Sequence, residues 1–277
     1  MKKFNIKRRQ AGFTLVELSV VLVVVGLLFA AVVKGQEMVD VAKVQKLVQD
    51  LKNTESNIQK YALVKGRMPG DCDSDGVVDF AADATLRTDI DNLARAEKYN
   101  YTTTQPTYRS SITAVGDDHG CLQVGALGEA TLTATDITDP LNANTWINDL
   151  KLAGMVSDSV PNRIFAKTVN EDFMFLGSVA DQSDKSATAK YNAIVLHNVP
   201  QWMARSVSTA INGTDAVANR GRIRQLVRDG VDGKYEATWD VTNAGAGNMR
   251  DSMVSIAYFY DRVPAVTGAL YVEPTPP

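Results

Sequence analysis

The apolar residues of this chain are concentrated in one continuous run near its start. Residues 13–33 are almost entirely apolar, and residues 1–12 before them are basic. At about 1.5 Å per residue, a helix of this length spans the roughly 30 Å hydrocarbon core of a bilayer. The run contains one acid, Glu17, and a charge within hydrocarbon costs roughly 2.5–3.5 kcal/mol. The pattern therefore predicts a membrane-spanning helix whose carboxylate is kept for a partner charge that arrives later.

After this run, apolar residues recur at spacings of three and four, with charged residues on the other faces. This pattern predicts that the same helix continues as an amphipathic stem. Gly66 and Pro69 are residues that end helices, so we predict one helix over residues 13–66. Its first part, 13–33, spans the membrane or forms a filament core, and its second part, 34–66, needs a globular domain to pack on. The predicted stripe, interrupted by Glu55, consists of Val41, Val44, Val48, Leu51, Ile58 and Tyr61.

The remainder of the chain carries the signals of a mixed head. Helical patterns cover residues 83–98 and 145–154 and the segment after Pro200, whereas alternating or apolar runs predict strands. The expected fold class is α+β, in which a long N-terminal helix packs on a globular head with an antiparallel β-sheet. We assign the head to residues 67–272 and a flexible tail to residues 273–277. The predicted strands are 163–169, 172–179, 191–199, 221–227, 234–241 and 252–263.

The leader differs from an ordinary secretory signal. No apolar segment precedes Gly12, and no small-residue cleavage site follows the apolar run, so cleavage at Gly12 would leave the apolar helix in the mature protein. Basic residues keep the leader side cytoplasmic and send the C-terminal bulk across the membrane. The basic residues of the leader are Lys2, Lys3, Lys7, Arg8 and Arg9.

The segment Gly12-Phe13-Thr14-Leu15-Val16-Glu17 resembles the processing site of type IV pilins and of the pseudopilins of type II secretion. The resemblance implies that a prepilin peptidase cuts between Gly12 and Phe13 and that Phe13 is then N-methylated. It also implies that Glu17 pairs with the terminal amine of an adjacent subunit during assembly, because a buried carboxylate and a buried ammonium are tolerable as a pair. The alternative is a single-pass anchor in which the glutamate is incidental.

Two further segments resemble a group of large pilin-like proteins. In that group Pro-Gly-Asp follows the stem helix, as Pro69-Gly70-Asp71 does here, and a Trp-x-x-Leu-x-x-Ala-Gly segment occurs mid-chain. The corresponding segment here runs from Trp146 to Gly154, with its leucine and alanine spacing slightly shifted.

An acidic loop follows the stem. Residues 71–79 have the D-x-D-x-D-G-x-x-D spacing of an EF-hand-type calcium loop, in which alternate carboxylates converge on one hard cation and a glycine permits the sharp turn. Ala82 stands where such loops carry a bidentate glutamate, and paired sensor helices are missing, so the loop favours a structural calcium ion. The alternative is an acidic surface turn without an ion. The predicted ligands are the carboxylates of Asp71, Asp73, Asp75 and Asp79 and the carbonyl of Val77.

The chain has two cysteines, Cys72 and Cys121. In the oxidising compartment predicted for the head they would form one disulfide. Such a bond closes a loop of about 50 residues and stabilises the fold by about 4 kcal/mol on the chain-entropy estimate. The alternative is a metal or redox role for Cys121 with His119.

The net charge and the absence of catalytic motifs argue against two classes of function, nucleic-acid binding and catalysis. The formal net charge is −3, and removal of the leader with its five basic residues lowers it to −8, which argues against nucleic-acid binding. No P-loop, HExxH, G-x-S-x-G or G-x-G-x-x-G motif occurs, so we predict no enzyme.

The expected function is that of a pilin or minor pilin in a type IV pilus-like filament. The alternatives are a pseudopilin of type II secretion and, less favoured, a tip subunit whose head binds a surface. The resemblance implies as partners other pilin-like subunits, the prepilin peptidase and an inner-membrane assembly platform, with membrane lipid around the helix before assembly. The head would face the periplasm first and then lie in a surface pilus or a periplasmic pseudopilus.

Overall fold

The computed structural model describes residues 14–71, 74–80, 145–180, 190–213, 217–226, 235, 239 and 253–264. The chain divides into two compact units, Met1–Lys43 and Val44–Pro277. Gly12, Phe13, Cys72, Asp73 and Cys121 lie outside the described residues, as do the predicted helix at 83–98 and the tail.

One long helix, α1, runs over Leu15–Lys65. It ends one residue before Gly66, whose φ of +75° is a left-handed conformation that glycine adopts without steric cost. The part of α1 in the first unit exposes its apolar side chains, whereas the part in the second unit buries one face. The long N-terminal helix predicted from the apolar run is confirmed.

The buried face of α1 differs from the predicted stripe. The spacing of four and three is present, but it passes through Leu47 and Thr54, and Val41 remains 56% exposed. Val44 and Val48 lie at the margin of the core. The predicted stripe differs from the buried face because it was read from apolar residues alone and left out Thr54. This threonine packs inward, and its hydroxyl donates to Met174 Sδ at 3.9 Å. The buried positions are Leu47, Leu51, Thr54, Ile58 and Tyr61.

The second unit contains a four-stranded antiparallel sheet among its described residues. Its strands are β1 (Met174–Ala180), β2 (Lys190–Pro200), β3 (Ile223–Leu226) and β4 (Met253–Phe259), in the order β1-β2-β4-β3. Leu176 pairs with Ile194, which in turn pairs with Tyr258, so these three side chains share one face of the sheet. The register of β2 against β4 shifts between Leu196 and Val199. The α+β class with an antiparallel sheet is confirmed.

Three shorter helices accompany the sheet in the described residues: α2 (Thr145–Leu152), α3 (Asn162–Ala166) and α4 (Gln201–Asn212). Helix α4 packs on β2, β3 and β4. Helices α2 and α4 occur where the sequence predicts them. The strand predicted over residues 163–169 is wrong, because residues 162–166 form α3 directly after Pro161, a residue whose fixed φ suits a helix start.

The core of the second unit lies between the C-terminal part of α1, the sheet and α2. Trp146 and Trp239 are 1% and 3% exposed, and Trp202 is partly buried, so these tryptophans are packing residues. His197 is 1% exposed and bonds through Nδ1 to the Ser255 hydroxyl at 2.7 Å. His197 is therefore a hydrogen-bonded residue of the buried sheet.

Candidate functional site

The first unit presents an apolar helix surface from its start. From Leu15 to Val33, the exposed fractions of the large apolar side chains range from 40% at Val25 to 86% at Leu15. One helix in the described part of the chain, Leu15–Lys65, is long and apolar enough to cross a membrane. Its most apolar stretch of 18 residues has a mean hydropathy of 2.8, and none of that stretch is buried. Such a surface is compatible with lipid or with other apolar helices.

Glu17 and Thr14 together cap the N-terminus of this helix. The Thr14 backbone N–H and its hydroxyl each donate to Glu17 Oε2 at 2.9 Å. In return the Glu17 backbone N–H donates to the Thr14 hydroxyl at 3.3 Å. This reciprocal arrangement is a capping box, and it satisfies N–H groups that the first helical turn leaves unpaired. The T-x-x-E spacing was visible in the sequence, but the role of Thr14 was not predicted.

The acidic loop after the stem is folded around the carboxylate of Asp71. This aspartate is fully buried, and its Oδ2 accepts the Gly76 N–H at 3.0 Å. Asp75 Oδ1 accepts the Val77 N–H at 2.7 Å. Gly76 has a φ of +88°, which is the conformation that the sequence pattern requires of a glycine there.

The loop is also tied to the sheet by Asn192, a residue that sequence reasoning missed. Asn192 Oδ1 accepts the Val78 N–H at 2.8 Å, and its Nδ2 donates to the Gly76 carbonyl at 2.8 Å. No motif marks this residue, because it lies 114 positions after Val78. No three His, Cys, Asp or Glu side chains within the described ranges are close enough to share a metal ion, and Asp73 lies outside those ranges.

The two segments that resemble large pilin-like proteins meet in the structure. Arg67 donates to both carboxylate oxygens of Asp149, at 2.9 and 3.1 Å, and the Gly70 N–H donates to Asp149 Oδ2 at 2.7 Å. A Cβ on Gly70 would lie 3.2 Å from a methyl of Val78 and 3.5 Å from Trp146 Cβ, so a larger residue would crowd this junction. Asp149 thus joins α2 to the loop that follows the stem.

The charge state of this junction is fixed by its burial and its pairing. Burial lowers the pKa of Arg67, but the hydrogen bond and charge of Asp149 outweigh it and the pKa is raised. Burial and the Asp149 charge raise the pKa of Tyr61, which lies beneath the guanidinium at 5.4 Å from ring centroid to Arg67 Cζ. Arg67 therefore keeps its charge, and the phenol of Tyr61 is neutral at physiological pH.

A second polar junction explains the acid that interrupts the stem pattern. Glu55 Oε1 accepts a hydrogen bond from Arg222 Nη2 at 2.6 Å, and Glu55 Oε2 accepts one from the Tyr258 hydroxyl. Arg222 also donates to the carbonyls of Phe259 and Tyr260. Burial and the hydrogen bond to Glu55 raise the pKa of Tyr258. Glu55 therefore fixes α1 on the sheet rather than exposing a charge.

Comparison with known proteins bears on the N-terminal segment. Residues 7–33 match the family described as the prokaryotic N-terminal methylation motif. No curated protein and no solved structure matches the chain. The match covers Gly12, Phe13 and Glu17 and includes the exposed apolar start of α1 up to Val33. This methylation motif, together with the long N-terminal apolar helix, fits a type IV pilin-like protein.

Proposed function

We propose that this protein is a structural subunit, a pilin or minor pilin, of a type IV pilus-like filament. In this role the chain is cleaved between Gly12 and Phe13, is N-methylated at Phe13 and assembles through its N-terminal helix. The observation that carries the proposal is the methylation motif at residues 7–33, which includes the first part of a helix whose apolar side chains are exposed. A structural role requires no catalytic residues, and the proposal assigns none.

The exposed apolar surface supports assembly on physical grounds. Apolar area gains about 25 cal/mol for each Å² removed from water. The large apolar side chains from Leu15 to Val41 are exposed in the single chain, so their burial favours a bilayer first and other copies of the helix afterwards. The membrane lipid is exchanged for neighbouring subunits without returning this surface to water.

The proposed role of Glu17 follows from its position at the helix start. Its carboxylate is satisfied by Thr14 within one chain, and removal of the leader would create an ammonium group at Phe13. An ammonium of an adjacent copy would carry the opposite charge as well as donors, and a buried carboxylate and a buried ammonium are tolerable only as a pair. The partners in this scheme are other pilin-like subunits, the prepilin peptidase and an inner-membrane assembly platform.

The proposed orientation places residues 1–12 in the cytoplasm and the second unit across the membrane, in accord with the basic leader. The apolar helix near the N-terminus supports membrane anchoring. In the oxidising compartment on that side, we propose that Cys72 and Cys121 form a disulfide.

We further propose that residues 71–79 bind one structural calcium ion. The supporting observations are the bond from the Gly76 N–H to Asp71 Oδ2 and the left-handed conformation of Gly76, which together wrap the loop around the first carboxylate. The proposed ligands are Asp71, Asp73, Asp75, the Val77 carbonyl and Asp79. Oxygen ligands of this kind suit Ca²⁺, and the ion would offset the repulsion between the four carboxylates.

Mass spectrometry of the N-terminal peptide tests the filament proposal. The peptide is measured in sheared surface material, periplasm and inner membrane of the native cells. The expected result is a methylated peptide that starts at Phe13 and is abundant in the sheared fraction. The same peptide confined to the membrane and periplasm would indicate a secretion pseudopilin instead. An intact Met1 terminus in all three fractions would contradict the proposal.

A further inference from the structure

A groove runs along α1 in the second unit, beside the face that α1 buries. Its volume is about 770 Å³. One wall is formed by α1 positions that follow spacings of four and three and therefore lie in one row. The opposite wall comes from α3 and the segments on either side of it. The row on α1 consists of Lys46, Asp50, Asn53, Asn57 and Lys60.

The two walls of the groove have different chemistry. The α1 wall is polar, whereas the opposite wall contains Val160, Ile164, Phe165 and Val169. Ile164 is 58% exposed, although it lies on α3 between the buried residues Asn162 and Ala166. An exposed branched apolar side chain next to a polar row favours an occupant that is itself amphipathic.

The charge of the groove is positive. Lys46, Lys60 and Lys167 line it, and Asp50 is the one acid among the lining residues that the structure describes. Asp50 pairs with Lys46 at 2.6 Å. Lys167 reaches Glu171 at 3.4 Å, but that glutamate is 85% exposed, and Lys60 has no ion-pair partner within the described part of the chain. The groove therefore suits an occupant with at least one carboxylate.

The chain itself offers a segment with the complementary pattern. In the first unit, Glu37, Asp40 and Val41 share one face of α1 because they are three and four positions apart. Val41 is 56% exposed and the Glu37 side chain 61% exposed. Glu37 pairs with Lys34 at 2.7 Å, but an exposed pair of this kind contributes little to stability and is readily exchanged.

We propose that this groove binds residues 37–41 of a second copy of the chain, and this inference rests on the proposed filament function. Glu37 and Asp40 of one copy lie against Lys60 and Lys167 of the next, and Val41 packs on the apolar wall at Ile164. The two surfaces differ, so the contact is heterologous. A heterologous contact that does not close on itself generates a helical filament.

Photo-cross-linking tests which segment occupies the groove. Full-length protein with p-benzoylphenylalanine in place of Ile164 is irradiated in the cells that make it, and the adduct is digested with trypsin. We expect an adduct between two copies that contains the peptide of residues 35–43, which lies between the cleavage sites at Lys34 and Lys43. The matched control carries the same probe at Lys52, an exposed position of α1 outside the groove, and should give no such adduct.

Each other outcome overturns the inference. An adduct from position 164 to a different peptide of the second copy, or to a different protein, would show another occupant. Filaments that form without an adduct would show an empty groove. Failure of the filament proposal is recognised separately. In that case the protein without the cross-linking residue would also lack the Phe13 terminus and would be absent from sheared material.

Charge reversal provides a second, independent measurement. Lys60→Glu should reduce the amount of subunit in sheared filaments several-fold, and adding Glu37→Lys to the same chain should restore part of it. Lys52→Glu is the control with the same change of charge on the same helix and should leave the amount unchanged. Equal losses for Lys60→Glu and Lys52→Glu, or no rescue by Glu37→Lys, would contradict the proposed contact.

Discussion

At the scale of single residues, several charged side chains act by satisfying backbone groups. Glu17 accepts the N–H of Thr14 at the start of α1, and Asp149 accepts the N–H of Gly70 after its end. Both carboxylates therefore hold chain ends or loops that would otherwise leave donors unpaired. Their consequences differ, because Glu17 is exposed whereas Asp149 is buried in the core.

Replacing Glu17 separates processing from assembly. Glu17→Val should leave cleavage after Gly12 intact but prevent incorporation into filaments, because no carboxylate is left for the terminal amine of a neighbouring copy. The control is Thr14→Ala, which removes the cap at a cost of about 1 kcal/mol to the helix but keeps the carboxylate, and it should still assemble. The measurement is the N-terminal peptide mass in membrane and sheared fractions. Wild-type amounts of Glu17→Val in sheared filaments would show that no charge pair is needed.

Removing Asp149 should destabilise the second unit strongly. Asp149→Ala leaves the buried Arg67 guanidinium and the Gly70 N–H without their acceptor, and breaking a buried pair in this way costs about 3–5 kcal/mol. Asp158→Ala is the control, because Asp158 is exposed and such surface changes stay within about 0.5 kcal/mol. Thermal unfolding of the full chain in detergent provides the comparison. Similar unfolding midpoints for the two variants would mean that the pair contributes little.

At the scale of elements, the stem and the loop after it depend on contacts far along the chain. The inward face of α1 includes Thr54, which contacts Met174, while Glu55 at its edge meets Arg222. The acidic loop is held by Asn192 from β2. A prediction from periodicity alone therefore locates the helix α1 correctly but assigns some of the wrong side chains to its buried face.

Calcium should stabilise the second unit if the acidic loop binds it. Loops of this kind in extracellular modules have dissociation constants of about 10⁻⁴–10⁻³ M. Calcium at about one hundred times its dissociation constant would add about 2.7 kcal/mol to the unfolding free energy. The measurement is thermal unfolding with calcium and with chelator, and Asp73→Ala should abolish the difference. Asp158→Ala is the control and should retain the difference. An unfolding midpoint of the wild-type protein that does not change with calcium would disprove the site.

At the scale of the whole molecule, apolar exposure is distributed very unequally between the two compact units. Among the described residues, 17 of the 22 exposed large apolar side chains lie in Met1–Lys43. The second unit, Val44–Pro277, buries a continuous core that includes the inward face of α1. Within the described part of the chain, the apolar surface that favours lipid or other copies is therefore concentrated in the first unit.

Truncation before Val44 should remove the requirement for lipid or for other copies. A chain of residues 44–277 should remain in the supernatant after high-speed centrifugation without detergent, because the surface that water disfavours is gone. The comparison is the chain starting at Phe13, which should sediment with membranes and need detergent for extraction. Detergent-dependent solubility of the truncated chain would show that the second unit carries a membrane-binding surface of its own.

The sequence by itself determined the features that depend on near neighbours. Continuous apolarity over residues 13–33 predicts the exposed helix, the glycine at position 66 marks its end, and the leader with Glu17 indicates the methylation motif, because each signal lies within a few turns. The α+β class and four of the strands followed from local patterns as well. The helix at residues 162–166 did not, because five residues after a proline leave too short a pattern to distinguish helix from strand.

Only the tertiary structure decided which distant residues meet. Asn192 on the acidic loop, Asp149 on Arg67 and Arg222 on Glu55 join positions separated by 82 to 167 residues along the chain. No spacing rule connects such positions, since their proximity is set by the packing of α1 and α2 on the sheet. The cationic groove beside α1 arises in the same way, because its two walls come from segments about 100 residues apart that face one another only after the core has closed.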